Sequence, residues 1–265
     1  TTTARSLVTV RSRCVPCSRP SWCHVAQGRQ VRPKHSSETM GYVVAAEKLT
    51  RDTTSTDRPR WGEVTAVAAT GALHLVCKPL GLQAFYIVAA VAFWIGVVFL
   101  MAKRRPAVLR EWGFRWDNVG PAFRASAAVF VPLMFLMSVI AWFRGELVMS
   151  ASLLIMLALY PAWGLVQQFL VQALLVSNLA KGPLRNHRTV LIAVGGALFS
   201  VVHLGNGLLV FATALVGATF VTLYLWYRNL WPLGLFHGWL ATLFYLWFLH
   251  RDKLTEIFGP LINPR

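Results

Sequence analysis

Carboxylates are what this chain has least of. Among 265 residues there are only 10 Asp and Glu against 26 Lys and Arg, and none of the 10 lies between Leu147 and Arg251. Any carboxylate serving that stretch would have to come from Glu63, Glu146 or the tails. Cysteine is sparse as well: Cys14, Cys17, Cys23 and Cys77. The first three, with His24, form Cys-x-x-Cys followed by Cys-His, a loose spacing for a zinc knot in unpatterned surroundings. Cys77 is expected to pack in or near a membrane span. Short alternating apolar–polar segments are missing, which excludes a transmembrane β-barrel.

What is abundant is apolar sequence. The chain is 56% hydrophobic, its mean hydropathy is +0.53, and several runs free of charge approach the length that crosses a hydrocarbon core of about 30 Å. The fold class is all-α, a polytopic membrane helical bundle. A net charge of +16 then speaks of topology and anionic lipid headgroups, with no nucleic-acid partner implied.

Residues 1–60 contain no run able to span and form a basic N-terminal tail, expected to be disordered through about Arg58. Residues 1–39 carry seven Lys or Arg and one acid, Glu38, in a Ser-, Thr- and Pro-rich setting. Two readings stay open: a targeting segment, or upstream sequence joined ahead of Met40. The membrane bundle occupies 61–250, and 251–265 form a short C-terminal tail. About seven spans are expected, at 61–80, 82–102, 121–143, 150–179, 189–204, 208–227 and 230–249. Pro161 is expected to bend the fourth. Between the second and third, apolar, aromatic and basic residues interleave. That suits either an interfacial segment with Trp112 and Trp116 at headgroup level or an ordinary polar loop. Basic residues at Lys103, Arg104, Arg105, Arg110, Arg115, Lys181, Arg185, Arg188 and Arg228 outnumber those at the opposite ends. The positive-inside bias therefore predicts a cytoplasmic N-terminus for an integral membrane protein.

Polar side chains inside the apolar second half mark a candidate site. Gln167, Gln168 and Gln172 lie in one helix, with Gln168 and Gln172 four apart on a single face. His203 follows Phe199 by four residues and precedes Asn206, and His237 lies in the last span. Singly, each Gln reads as a helix–helix hydrogen-bond partner and each His as a packing residue. Together, Gln167, Gln168, Gln172, His203 and His237 read as one buried polar site. At about 1.5 Å per residue, Gln167 and His203 both lie about 21 Å from the cytoplasmic boundary, but His237 only about 14 Å, a mismatch in depth.

These residues resemble a known family. Gln167-Gln168-Phe-Leu-Val-Gln172, Phe199-Ser-Val-Val-His203-Leu-Gly-Asn206 and His237-Gly-Trp-Leu-Ala241 follow the order of the Glu-Glu-xxx-Arg, Phe-xxx-His and His-xxx-Asn/Asp motifs. Those motifs are found in CPBP proteins, the CAAX prenyl endopeptidases and bacteriocin-immunity proteins. Gly113-Phe114-Arg115-Trp116-Asp117-Asn118 and Arg228-Asn229-Leu230-Trp231-Pro232 also look like the family, so the likeness covers about 110–250. It implies a bacterial cell membrane, no cofactor, and a membrane-associated or prenylated peptide as substrate. It also implies a first Glu that activates water, with Arg, both His and the Asn supporting the scissile carbonyl and oxyanion.

Position by position, Gln167 replaces the catalytic Glu, Gln168 the second Glu, Gln172 the Arg and Ala241 the Asn; Phe199, His203 and His237 match. An amide orients a water but does not take its proton, and loss of a general base forfeits about 10²–10⁴ in rate. Replacing the Arg along with both Glu keeps the site neutral. Two functions remain open. One is peptide-bond hydrolysis at a buried Gln/His site, with His203 or His237 as the base. The other is an inactive pseudoprotease that binds, confers immunity or regulates. Ser200 with His203 as a nucleophile pair lacks a third member, and two His without a further ligand fall short of a zinc site. A transporter is least supported, because no inverted repeat is visible.

Overall fold

A computed structural model describes residues 58–262. The candidate zinc residues Cys14, Cys17, Cys23 and His24, and the segment 1–39 with its two readings, lie outside the described residues. The described residues are helical throughout, with no strand among them: α1 (Trp61–Cys77), α2 (Gln83–Arg104), α3 (Ala107–Trp112), α4 (Val119–Phe143), α5 (Ala151–Lys181), α6 (Arg188–Val201), α7 (Gly207–Tyr227), α8 (Trp231–Leu243) and α9 (Lys253–Ile262).

Local signals set the boundaries. Ser150 caps α5 by accepting from Leu153 N at 3.1 Å, and Asn206 caps α7 by accepting from Leu209 N at 3.0 Å. Gly113, at φ 99°, ends α3 in the left-handed conformation that a side chain disfavours. α5 is not uniform: its segment Phe169–Val176 is a π-helix, and a second π-helix, Phe244–Phe248, extends α8. Both Pro132 in α4 and Pro161 in α5 are accommodated within their helices. Residues 253–262, expected as part of a tail, form α9, whose start is tied to α5 by Ser152 Oγ donating to Asp252 Oδ1 at 2.7 Å.

Four helices, α2, α4, α5 and α7, are long and apolar enough to cross a bilayer; α6 is a shorter apolar helix. Spanning takes about 20 residues. α1 has 17, α6 has 14 and α8 has 13 before its π extension, so among the described residues four spans are supported by length and composition, and the expected count of about seven is not confirmed. Their outward faces carry large apolar groups, among them Phe93, Phe99, Phe135 and Phe211, each at least 60% exposed. Such a belt is unfavourable against water and natural against lipid. The molecule is an integral membrane helical protein.

Two close helix contacts organise the interior. In α5 and α8, Gly164 faces Gly234 and Gly238; a methyl group added at Gly238 would lie 2.4 Å from Pro161 N, and one at Gly164 2.6 Å from Gly234 O. Small residues four apart let the two backbones touch, the packing device of membrane helices. α6 meets α7 in the same way: a methyl at Gly196 would lie 2.7 Å from Ala214 O, and one at Gly217 would strike the Phe199 ring. Each contact delivers one histidine-bearing segment to the centre.

The segment between α3 and α4 covers the α7–α8 turn. Leu230 N donates to Gly113 O at 2.9 Å, Asn118 Nδ2 to Tyr227 O at 2.6 Å, and Asn229 Nδ2 to both Arg115 O and Asn118 Oδ1 at 2.8 Å. The two stretches of family-like sequence are thus hydrogen-bonded to each other. Trp112 does not face outward. It is buried against Phe169, ring centroids 5.1 Å apart, because α3 packs on the π-helical part of α5. Trp116 is 72% exposed and stacks on Trp231 at 4.8 Å.

Candidate functional site

Gln168 and Gln172 are both completely buried, and burial of an amide requires a partner. Gln172 Nε2 donates to Gln168 Oε1 at 3.1 Å, and Gln168 Nε2 meets His237 Nδ1 at 3.2 Å. With the amide donating, Nδ1 accepts, and the neutral imidazole carries its proton on Nε2. The spacing of four turns the two glutamines into a relay that ends on the histidine of α8. The contact exists because Gly164, Gly234 and Gly238 bring α8 onto the α5 backbone one turn before Gln168.

The expected mismatch in depth disappears for a structural reason. Asn229 and Leu230 are 1% and 0% exposed, because the 113–118 segment lies over the turn. α8 therefore begins well inside the bundle, and Arg228 does not mark a surface from which depth can be counted.

Phe199 and Phe220 wall the imidazole of His237, with ring centroids at 5.2 and 5.7 Å. Phe199 also lies 6.0 Å from His203, so one aromatic ring stands between the two histidines. Two apolar cavities meet there. The smaller, about 380 Å³, lies among α1, α2, α5 and α6 and is lined by Gln167 and His203 together with His74. The larger, about 620 Å³, lies among α4, α6, α7 and α8 and is lined by His203, His237 and Ala241. Phe199 and His203 border both.

The eight sequence candidates thus separate into groups. Gln168, Gln172 and His237 are joined by hydrogen bonds. Gln167 points along a different side of α5 and shares the smaller cavity with His203. Ala241 lines the larger cavity and offers it a methyl group where the family motif has an amide or acid. Asn206 spends its side-chain oxygen on the α7 N-cap. Two buried polar atoms, Gln172 Oε1 and His203 Nε2, have no hydrogen-bond partner among the described residues.

Several contributors carried no flag in the sequence reading. His74 stands beside Tyr86, ring centroids 5.2 Å apart, with Tyr86 Oη donating to Thr70 O at 2.7 Å; all three line the smaller cavity. A histidine in an apolar helix was the available signal. Ser177 and Tyr224 support the π-helix: Ser177 Oγ donates to Gln172 O at 3.1 Å and contacts Tyr224 Oη at 3.2 Å, which in turn donates to Trp112 O at 3.0 Å. π-Helical segments occur disproportionately at functional sites. Here one carries Gln172.

Among the described residues, no carboxylate lines either cavity. Glu63 accepts from Arg60 and Asn178, Glu111 pairs with Arg60 and Arg105, and Glu146 pairs with Arg144 and His250, all near helix ends. Nor do three or more His, Cys, Asp or Glu gather as a metal-binding group among the described residues. The arrangement can accept and donate hydrogen bonds to a neutral polar group, and can house hydrocarbon on either side of it.

Residues 149–243 match a family model described as type II CAAX prenyl endopeptidase, Rce1-like. The matched segment runs from the start of α5 to the end of α8 and includes all eight candidate residues. It is consistent with the CPBP family. No curated protein matches the chain, and no solved structure does.

Proposed function

We propose that this protein is a CAAX-protease-like membrane protein that has kept the substrate cavity of that scaffold and given up the hydrolytic base. It holds a membrane-associated or prenylated peptide with the hydrocarbon chain in the larger cavity and a polar group at the histidines. The observation that carries this reading is the lack of any Asp or Glu among the described residues lining either cavity, next to amides at all three positions of the first motif. Gln168 and Gln172 hold His237 in place, His203 and His237 present hydrogen-bonding nitrogens to the ligand, and Phe199 separates them. Gln167 orients a water or a peptide group without deprotonating it. Ala241 leaves the oxyanion position of the motif without a donor.

The remaining assignments follow the charge pattern and the resemblance. The N-terminus lies on the cytoplasmic side of a bacterial cell membrane, and α1, α6 and α8 complete a set of about seven membrane-embedded helices. Binding, immunity or regulation, in place of turnover, is then the biological output.

A photo-crosslinking peptide bearing a prenyl group tests the binding. It should label α4 and α7 next to the larger cavity and be competed by unlabelled prenylated peptide, and Ala212→Trp should block it by filling the cavity. Equal labelling by the unprenylated peptide would defeat the reading. A second reading, hydrolysis with His203 as base, draws support from its buried, unpartnered Nε2 at the junction of both cavities.

A further inference from the structure

The wall of the smaller cavity, about 380 Å³ among α1, α2, α5 and α6, repeats one pairing: a polar side chain with an aromatic ring. Where α1 meets α2, His74 lies beside Tyr86, ring centroids 5.2 Å apart. At the end of α6, His203 lies 6.0 Å from Phe199. In α5, Gln167 follows Trp163 by four residues, so both project from one side of the helix. All six line the cavity. A close approach of α1 to α6 brings the two histidine-bearing segments to it. A methyl group added at Gly71 would lie 3.9 Å from Val202 Cγ1, the residue before His203, and His74 follows Gly71 by three on the same face of α1.

The hydroxyls of this wall are already spent. Thr70 Oγ1 donates to Ala66 O at 2.8 Å, and Tyr86 Oη to Thr70 O at 2.7 Å. The other three polar side chains are not. Among the described residues, His74, Gln167 and His203 make no side-chain hydrogen bond, and His203 Nε2 is buried without one. Three unpaired polar groups from three helices around one apolar space are costly until a ligand completes them. Among the described residues no Lys, Arg, Asp or Glu lines the cavity, so a charged ligand would enter uncompensated. Ala68, Ala72 and Leu198 line it and are exposed, so it is open on the side of α1 and α6, toward lipid. α1 and α2 lie outside the matched segment 149–243, so His74 and Tyr86 come from beyond the family-like motifs.

We infer that the smaller cavity binds the head of an uncharged, ring-headed lipid of the quinone class. A flat ring packs against Tyr86, Trp163 and Phe199, and oxygens on its rim meet His74, Gln167 and His203. A long-chain alcohol offers one polar atom, too few for three groups on three helices. Imidazole and amide each donate and accept, so the same three side chains serve the carbonyls of a quinone and the hydroxyls of a quinol. The volume is within the range of about 300–1,000 Å³ usual for small-molecule sites, and an isoprenoid tail leaves through the opening into the bilayer. The site goes beyond the peptide reading and does not rest on it. His74, Tyr86, Trp163 and Gln167 border the smaller cavity alone, whereas Phe199 and His203 border both.

The test is a titration of the full chain in micelles with decylubiquinone, read as saturable quenching of tryptophan fluorescence. Farnesol and lauric acid serve as competitors. The wild type should saturate, and neither competitor should displace the quinone at equal concentration. His74→Phe keeps the ring and removes its nitrogens; it should raise the half-saturating concentration about five-fold or more, as should Gln167→Leu. His74→Gln restores a donor and an acceptor and should stay within about three-fold of wild type. Ala72→Trp, which fills the opening, should abolish saturation, whereas Ala212→Trp, which fills the larger cavity, should leave it unchanged. Absence of saturable quenching in the wild type would overturn the site. So would wild-type binding in both His74→Phe and Gln167→Leu, and loss in Ala212→Trp without loss in Ala72→Trp would move the ligand to the larger cavity. Equal displacement by farnesol would overturn the ring assignment, and equal displacement by lauric acid the requirement for an uncharged head. None of these outcomes bears on whether the larger cavity takes a prenylated peptide, which the crosslinking reads separately.

Discussion

Gly238→Ala probes the contact on which the site depends. The added methyl would lie 2.4 Å from Pro161 N, 2.5 Å from Pro161 Cα and 2.7 Å from Tyr160 C, all backbone atoms that cannot rotate aside. Ordinary contact begins at 3.4 Å, so α5 and α8 must part by about 1 Å. Overpacking of this kind costs about 1–3 kcal/mol, while replacing a helical glycine by alanine returns about 0.5–1 kcal/mol. The same movement carries Gln168 Nε2 and His237 Nδ1, now 3.2 Å apart, out of hydrogen-bonding range, which removes about 1 kcal/mol more. A net loss of about 1–3 kcal/mol is expected in reversible unfolding in mixed micelles, followed by tryptophan fluorescence. Gly96→Ala is the control. Nothing lies within 4 Å of its added methyl, and stability should be unchanged or slightly higher. If Gly238→Ala and Gly96→Ala behaved alike, the close α5–α8 packing would be wrong, and with it the placement of His237.

Other substitutions separate support from function. Tyr224→Phe removes the hydroxyl that links Ser177 to Trp112 O and should cost about 1–3 kcal/mol in the same unfolding assay, because buried acceptors are left unpaired. Asn206→Ala should cost about 1 kcal/mol through loss of the α7 cap while leaving peptide crosslinking unchanged once folded protein is matched; reduced crosslinking would restore Asn206 to the site. The hydrogen bond from Arg115 holds the Asp117 carboxyl below its usual range. Its small stabilising contribution, under about 1 kcal/mol for so exposed a pair, is complete above the unfolded carboxylate pKa and fades as pH falls through the lower folded value. Asp117→Asn should remove that part of the acid-side loss in a pH series of melting curves, and an unchanged series would contradict the pairing.

The glutamines were legible in the sequence because three amides in an apolar helix require partners. The relay from Gln172 to Gln168 follows from their spacing of four. Gln167 shows the limit of that reasoning: adjacency in sequence turned it toward another cavity, away from the amides beside it. The depth of His237 was misread because counting residues from Arg228 assumed a turn at the membrane surface, and nothing local to 228–231 reveals the segment 113–118 lying over it. Gly164, Gly234 and Gly238 could have been recognised as small residues spaced for a close helix contact. The π-helix at 169–176 could not, since its apolar sequence is equally suited to an α-helix. Hydropathy registers apolar segments without their helix lengths: α6 ends at Val201, three residues before the expected 204, while α8 runs on through its π-helix to Phe248.

The central claim is that the cavity binds and does not cut. Its most direct test is the mass of a prenylated CAAX-type peptide after long incubation with purified, reconstituted protein. Intact peptide is expected with the wild type, and cleavage only after Gln167→Glu, Gln168→Glu and Gln172→Arg are combined. Cleavage by the wild type that disappears in His203→Ala and in His237→Ala would contradict it.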